Sequence, residues 1–410
     1  MPQNREFDLV LFGATGFTGA LAAEYLAANA PADCRWALAG RDRTKLEAVR
    51  TRLAGTIPAC ADLPLLVVDA TDDAALEDLA SRARVVISTV GPYLLHGEPL
   101  VAACAAAGTD YVDLTGEPEF VDRMYLRYHA KAVASGARIV HACGFDSIPH
   151  DLGVLFTVNH LPDDVPITVD GFVRASGTFS GGTLASVLTA FSRVRSMART
   201  AKERRAAEPA AADRRGVRGG PGRLHRPTAP LSGWAVPLPT IDPQIVARSA
   251  AALPGYGPDF RYRHHASVKH LPVVLGSAAG LSALFLAAQV PPLRDALVRV
   301  RASGAGPDAE TRARSRFSIR FVGQAGGERI VTEVSGGDPG YGETAKMLVE
   351  SALCLAYDEV PPTSGQVTTA TAMGSALIER LIDAGLRFTV LVPLAPSSAN
   401  TTSANTSVDG

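Results

Sequence analysis

A chain of 410 residues exceeds one ordinary core, so two domains are the natural division. Hydrophobic residues at 47% and charged residues at 20% describe a globular protein, and a net charge of −1 gives nucleic acid no reason to bind. Five cysteines lie scattered without a CxxC pair, which argues against a disulfide framework or a structural zinc site, so no metal is expected. With no basic-then-apolar leader at the N-terminus, they fit a reducing cytoplasm.

Residues 6–12 (EFDLVLF) read as a buried strand running into Gly13-Ala14-Thr15-Gly16-Phe17-Thr18-Gly19 and then a helix over 20–30. Strand, glycine-rich turn and helix in that order make a phosphate cradle. Gly13 permits the tight turn, Gly16 lets backbone approach a pyrophosphate, and Gly19 lets the helix sit close to the sheet. The next strand, 35–39, ends in Gly40-Arg41-Asp42-Arg43-Thr44-Lys45. An NAD site usually places an acid there for the ribose 2′-hydroxyl. Arg41 instead suits a 2′-phosphate, so NADP(H) is the expected cofactor. The alternative is a solvated basic helix start, capped by Asp42.

Strands at 65–69, 85–90, 111–114 and 138–141 alternate with helices at 99–107 and 120–135. The pattern predicts an α/β Rossmann domain over 1–150, a doubly wound parallel sheet whose ligands lie beyond the C-terminal strand ends. Asp69 and Ala70 are placed to meet the adenine edge, and Val90, Gly91 and Pro92 follow the fourth strand. Chemistry is therefore sought in the loops 91–97, 113–117 and 143–151. Tyr93 and His96, where the nicotinamide should lie, are the first candidates for proton delivery; Asp146 and His150 are the second. Each has a plainer role open to it: Tyr93 covering the nicotinamide ribose, His96 at the surface, Asp146 capping a helix. Cys143 reads as a buried structural thiol. No tyrosine has a lysine four residues on (Tyr128 and Lys131 are three apart), which excludes the Tyr-x-x-x-Lys pair of short-chain dehydrogenases.

Residues 151–395 read as a second, α+β domain with a mixed or antiparallel sheet. Its predicted elements are a strand at 167–175, a turn at 177–182, a helix at 183–195, strands at 317–322 and 329–334 joined by Gly323–Gly327, and helices at 343–357 and 373–384. Across 193–226 eleven Arg or Lys face three acids. Residues 196–230 thus read as a flexible solvated insertion, with docking of an acidic carrier protein or of anionic lipid as the alternative. Residues 271–290 carry no charge and read as a buried or acyl-facing helix, with peripheral membrane association as the alternative. Residues 396–410 read as a disordered tail.

The set GATGFTG, AGR, VGPY, TGE and GFDSIPHDLG, each after its own strand, resembles the saccharopine dehydrogenase-like oxidoreductases. Within that group the chain looks most like the actinobacterial trans-acting enoyl reductases. Gly181-Gly182-Thr183, Gly336–Tyr341 and Thr368–Gly374 extend the resemblance over most of the chain outside 196–230 and the tail. It implies hydride transfer from NADPH to an α,β-unsaturated acyl thioester, carrier-bound or small, in partnership with a polyketide synthase or its acyl carrier protein during cell-envelope lipid synthesis, in the cytoplasm or at the plasma membrane. Two readings compete. An imine or carbonyl reductase would need carboxylate-binding residues, for which Arg261, Arg263, His264 and His265 are the candidates. A non-catalytic lipid-surface protein would rest on 271–290, and the intact fingerprint with Arg41 weighs against it. An exposed sheet in the second domain would suit a homodimer.

Overall fold

The computed structural model describes residues 5–176, 192–208, 216–229, 231–289, 293 and 307–392. The motif Gly181-Gly182-Thr183, the turn at 177–182, most of the helix at 183–195 and the tail at 396–410 lie outside the described residues.

The first sheet is parallel throughout. It is built from β1 (Phe7–Phe12), β2 (Trp36–Gly40), β3 (Leu65–Val67), β4 (Ala83–Ser88), β5 (Asp110–Asp113), β6 (Arg138–Val140) and β13 (Gly365–Val367). Their spatial order is β13-β6-β5-β4-β1-β2-β3. Leu9, Val10 and Leu11 are fully buried, as continuous apolar runs must be when both faces of a parallel sheet are covered. Helices Asp73–Arg82, Glu98–Ala107 and Pro118–Ser135 cover one face through Leu76, Leu100, Phe120 and Met124. The other face is covered by Phe17–Asn29 and by Gly342–Tyr357, which packs on that helix and on β4 and β5. Residues 1–150 thus supply every strand but one, and the later chain supplies β13 and a covering helix. The order reverses between β1 and β4, which opens a crevice at their C-terminal ends.

The second sheet is mixed. Its strands are β7 (Ile167–Ala175), β8 (Gly216–Pro221), β9 (Trp234–Pro237), β10 (Asp259–Val268), β11 (Phe317–Ala325), β12 (Glu328–Gly336) and β14 (Arg387–Val392). The order is β14-β12-β11-β7-β10-β8, with β9 added antiparallel to β10. The hairpin of β11 and β12 is longer than its apolar pattern predicts: Gly323, Gln324 and Ala325 stay in the ladder and the turn narrows to Gly326-Gly327. Helices Ile148–Val158 and Asp242–Ala252 pack on the inner face. Asp151 ties three helices together, accepting bonds from Ser249 Oγ (2.6 Å), Thr369 Oγ1 (2.7 Å) and the Ala370 N–H (2.8 Å).

Two expectations for this half are corrected. The described part of the basic insertion is ordered and docked, because its cations find buried carboxylates. Helix Val194–Ala207 sends Arg204 under cover, 3.3 Å from Asp122 and stacked 4.1 Å over Tyr125, while Arg193 grips Glu119. The uncharged segment forms a helix, Leu271–Ala288, which is not buried at every described side chain: Val273 and Leu286 are 54% and 66% exposed. Among the described residues, no helix is long and apolar enough to cross a membrane.

Candidate functional site

The crevice between β1 and β4 is floored by the loop that follows β1. Gly13 has φ +94° and its N–H bonds the Ala39 carbonyl at 2.9 Å, which turns the chain sharply. A Cβ on Gly19 would stand 2.1 Å from the Gly13 carbonyl oxygen and 2.8 Å from Thr89 Oγ1, so only glycine lets the helix approach the strand here. The helix Phe17–Asn29 begins at Gly16 with no side chain capping it and no acidic residue in its first turn. Its first N–H groups and the positive end of its dipole are thus left to an anion, which is what a dinucleotide pyrophosphate needs. The backbone fits the cofactor.

At the end of β2, Asp42 caps the following helix by accepting from the Lys45 N–H at 3.1 Å, as the plainer reading expects. The basic residues nonetheless divide. Arg43 pairs with Glu47 (3.0 Å) and Lys45 with Asp42 (3.8 Å), whereas among the described residues no carboxylate lies within ion-pair distance of Arg41. Arg41 is exposed beside the ribose end of the crevice and close enough to Asp69 to depress its pKa. Asp69 is held low chiefly by the Thr71 hydroxyl and N–H, at 2.7 and 2.9 Å, with Arg41 and His96 adding to the effect. His96 therefore lies toward the adenosine end, exposed at the close of the short helix Tyr93–His96. Ala70 is half-buried next to Asp69, and Val90, Gly91 and Pro92 line the exit of β4 through a cis Gly91-Pro92 bond.

Tyr93 is buried beneath this loop. Its hydroxyl donates to the Ser88 carbonyl (3.0 Å) and accepts from the Leu114 N–H (3.2 Å), and burial raises its pKa well above the ordinary phenol. Glu117 caps the turn above it, accepting from the N–H groups of Tyr93 and Leu94. Asp113 pins β5 to β6 by accepting from His141 Nδ1 (2.7 Å) and from the N–H groups of Thr115 and Ala142. That arrangement takes His141 away from Cys143, whose thiol is fully buried and pushed well above its usual pKa, hence inert.

Asp146 stands differently. It is exposed on the loop after β6, with its carboxyl packed against Gly116 of the loop after β5, where a Cβ would meet Oδ2 at 2.9 Å. The carboxyl is reachable by solvent yet crowded by protein. That crowding, and then the charge of Asp242, push its pKa up to about 6, with His150 pulling the other way. It caps nothing, since the helix at Ile148 starts at Ser147 without a side-chain cap. His150 is 2% exposed, its Nδ1 2.9 Å from Asp242, and Asp242 in turn lies 3.5 Å from His264 Nε2. Tyr262 hydroxyl meets His264 Nδ1 at 2.8 Å. Burial would raise Asp242, but His150, His264 and the Thr240 hydroxyl outweigh it and hold it below the usual carboxylate range, while burial drives His264 down to about 3. His150, Asp242 and His264 bring three ligand atoms within 4.8 Å of one another, close enough to hold a small cation.

The second half of the chain closes the crevice over the cradle. Tyr341 sets its ring edge-on to Phe17 at 4.9 Å between centroids, and the Arg312 guanidinium lies 5.7 Å from the centre of the same ring. Residues 9–140 match the saccharopine dehydrogenase NADP binding domain. A Mycobacterium tuberculosis protein provisionally named a trans-acting enoyl reductase is 41% identical over 93% of this chain and 97% of its own. Trans-acting enoyl reductases of Mycobacterium bovis and Mycobacterium ulcerans are 38% and 36% identical, over 94% and 93% of this chain and 98% and 97% of theirs. The chain belongs to the trans-acting enoyl reductase family. Saccharopine dehydrogenase (L-Glu forming) of Saccharomyces cerevisiae shares the fold, with a TM-score of 0.55 at 12% identity over 94% of this chain and all of that one. This member of the family is an NADP-dependent oxidoreductase of α/β fold.

Within this enoyl reductase-family chain, the cradle, Arg41, Asp69 and the loop 90–92 follow the C-terminal ends of β1, β2, β3 and β4, and Asp146 follows that of β6. Tyr93 and His96 both follow β4 but part company, one beneath the loop and one toward the adenosine end. Asp242 and Arg312 escape sequence reasoning, since nothing local marks them, while His264 reads only as part of a carboxylate clamp and Tyr341 only as part of a motif, the glycine-rich run 336–342.

Proposed function

We propose that this chain uses NADPH to saturate the α,β-double bond of an acyl thioester carried by a separate carrier protein, with Asp146 as the proton donor. What supports the reading is the place of Asp146, an exposed carboxylate on the loop after β6 set against Gly116 of the loop after β5, with its pKa pushed upward. The relatives' name, trans-acting enoyl reductase, supports the substrate class. NADPH, when bound, supplies the hydride for the β-carbon. Asp146 then gives its proton to the α-carbon, and its carboxylate regains one from water. Tyr93 is set aside as the donor because its hydroxyl already serves two backbone groups, and His96 because it lies toward Asp69 and Arg41. His150 acts on Asp146 by its charge from a buried position, and not by touching substrate.

The imine or carbonyl reductase reading loses its support at β10. Strand alternation turns only His264 of the four candidate residues toward Asp242, while Arg261, Arg263 and His265 face the opposite side of the sheet. Exposed Val273, Phe285 and Leu286 suit peripheral contact with a lipid surface. Loss of vesicle co-flotation in Leu286→Glu is expected, and unchanged flotation would remove the membrane from the reading.

The decisive assay follows NADPH oxidation with an enoyl thioester on a carrier protein. Asp146→Asn should lower kcat by about 10²–10⁴-fold while NADPH binding is kept. A folded, NADPH-binding protein that oxidises no NADPH with any enoyl thioester would overturn the proposal.

A further inference from the structure

The residues that fail as a carboxylate clamp in the crevice form something else on the far side of the sheet. Along β10, Phe260, Tyr262 and His264 are buried on the inner face, so Arg261, Arg263 and His265 turn outward. There they meet the end of β8 and the segment after it. Pro221, Gly222, Arg223, His225, Arg261, Arg263 and His265 together line a cavity of about 330 Å³. The ladder places Arg218 beside Arg261 on the same face.

This cavity is built, not merely a place where charges happen to meet. His265 is 1% exposed, lies flat on Phe172 (centroids 5.0 Å apart, planes 11° apart) and takes the edge of His225 at 5.1 Å. Among the described residues neither of its ring nitrogens finds a side-chain partner, and the ring's polar contact is with the Gly171 backbone. A Cβ on Gly222 would stand 1.7 Å from His265 Nε2, so the segment can close over the ring only with glycine there. The charges are unbalanced. Asp170 engages Arg263 through both oxygens (2.5 and 2.6 Å), and among the described residues no carboxylate forms an ion pair with Arg223 or Arg261. Guanidiniums crowded into so small a concavity repel one another unless an anion joins them. Their forked N–H groups match the tetrahedral oxygens of a phosphate better than a single point charge would.

We infer that this cavity is a binding site for a phosphate group, free or as a phosphate ester, on the face of the sheet opposite the reductase crevice. Its size admits a small anion or the end of an extended arm, and excludes a nucleic-acid backbone, which needs a continuous basic track. Adjacent residues of one strand then serve the two faces: His264 belongs to the buried group behind Asp146, and His265 to the phosphate site.

The test uses the full-length protein saturated with NADP+, so that the nucleotide cradle is filled, and titrates it calorimetrically with three probes: inorganic phosphate, pantetheine 4′-phosphate and pantetheine. Saturable binding of both phosphates and none of pantetheine is expected. The double substitution Arg223→Gln, Arg261→Gln should weaken it by about tenfold or more while the NADPH titration and thermal midpoint stay as in the parent. A much tighter grip on pantetheine 4′-phosphate than on phosphate would assign the site to a carrier's prosthetic arm, and equal affinities to free phosphate. Absence of saturable phosphate binding in the parent, or binding untouched by the double substitution, would overturn the inference.

Discussion

Removing the Arg41 guanidinium should change which nicotinamide dinucleotide the protein prefers while leaving the grip on the shared part of the cofactor intact. Among the described residues Arg41 forms no ion pair that would have to be released, unlike Arg43 and Lys45, which are already paired with Glu47 and Asp42. A charged hydrogen bond of this kind contributes about 1.5–3 kcal/mol, and exposure of the side chain argues for counting one such bond, not the two the fork can make. Arg41→Ala should therefore weaken NADPH by about ten- to a hundredfold. NADH, lacking the phosphate, should change by less than about twofold. Fluorescence titration of both cofactors against parent and variant gives the four affinities. An equal loss for NADPH and NADH would mean Arg41 holds the loop and not the phosphate, and an unchanged NADPH affinity would remove it from the site.

Four further outcomes follow from the structure. The raised pKa of Asp146 means that its donor form is present below about pH 6 and is lost above it, so turnover should fall as pH rises through that value and the inflection should vanish in Asp146→Asn. The same shift is linked to folding: the extra stability of protonated Asp146 is complete below the unfolded pKa, near 4, and lost as pH rises through about 6, so thermal midpoints of parent and Asp146→Asn should diverge across that window. Gly19→Ala forces a methyl into the Gly13 carbonyl and should cost about 1–3 kcal/mol of stability together with NADPH binding; a variant that binds normally would refute the close approach. Asp151→Ala strands two buried donors, the Thr369 hydroxyl and the Ala370 N–H, at about 1–3 kcal/mol each before relaxation, and should lower the urea midpoint sharply, whereas a neutral result would deny the helix tie.

The nucleotide half was legible because its signals are local. A buried strand, a four-residue turn and a helix are contiguous from Phe7 to Asn29, and Arg41 sits one step beyond the strand that presents it. The rest depends on distance along the chain. The partners of His150 come from the start of another helix and from the middle of β10, and no periodicity reports that they meet. At β10 the four residues Arg261, Arg263, His264 and His265 looked like one cluster in line; a pleated strand cannot aim neighbours at one ligand, so they split between two faces. The strand Gly365–Val367 is too short and too mixed to announce itself, and Gly374, with φ +53° and ψ −132°, breaks the helical pattern inside Thr369–Asp383. The basic insertion misled for a different reason. Composition counts charges but not the buried Glu119 and Asp122 that await them.

The lending of β13 and the helix Gly342–Tyr357 to the first sheet bears on how the protein is made. As the chain leaves the ribosome, the segment up to residue 150 can assemble its cradle only with the outer edge of β6 open and one sheet face partly uncovered over β4 and β5, both of which are sticky. Closure comes when the chain is nearly finished. A chain stopped before Gly342 therefore lacks both an edge strand and a covering helix of the sheet that carries the cradle.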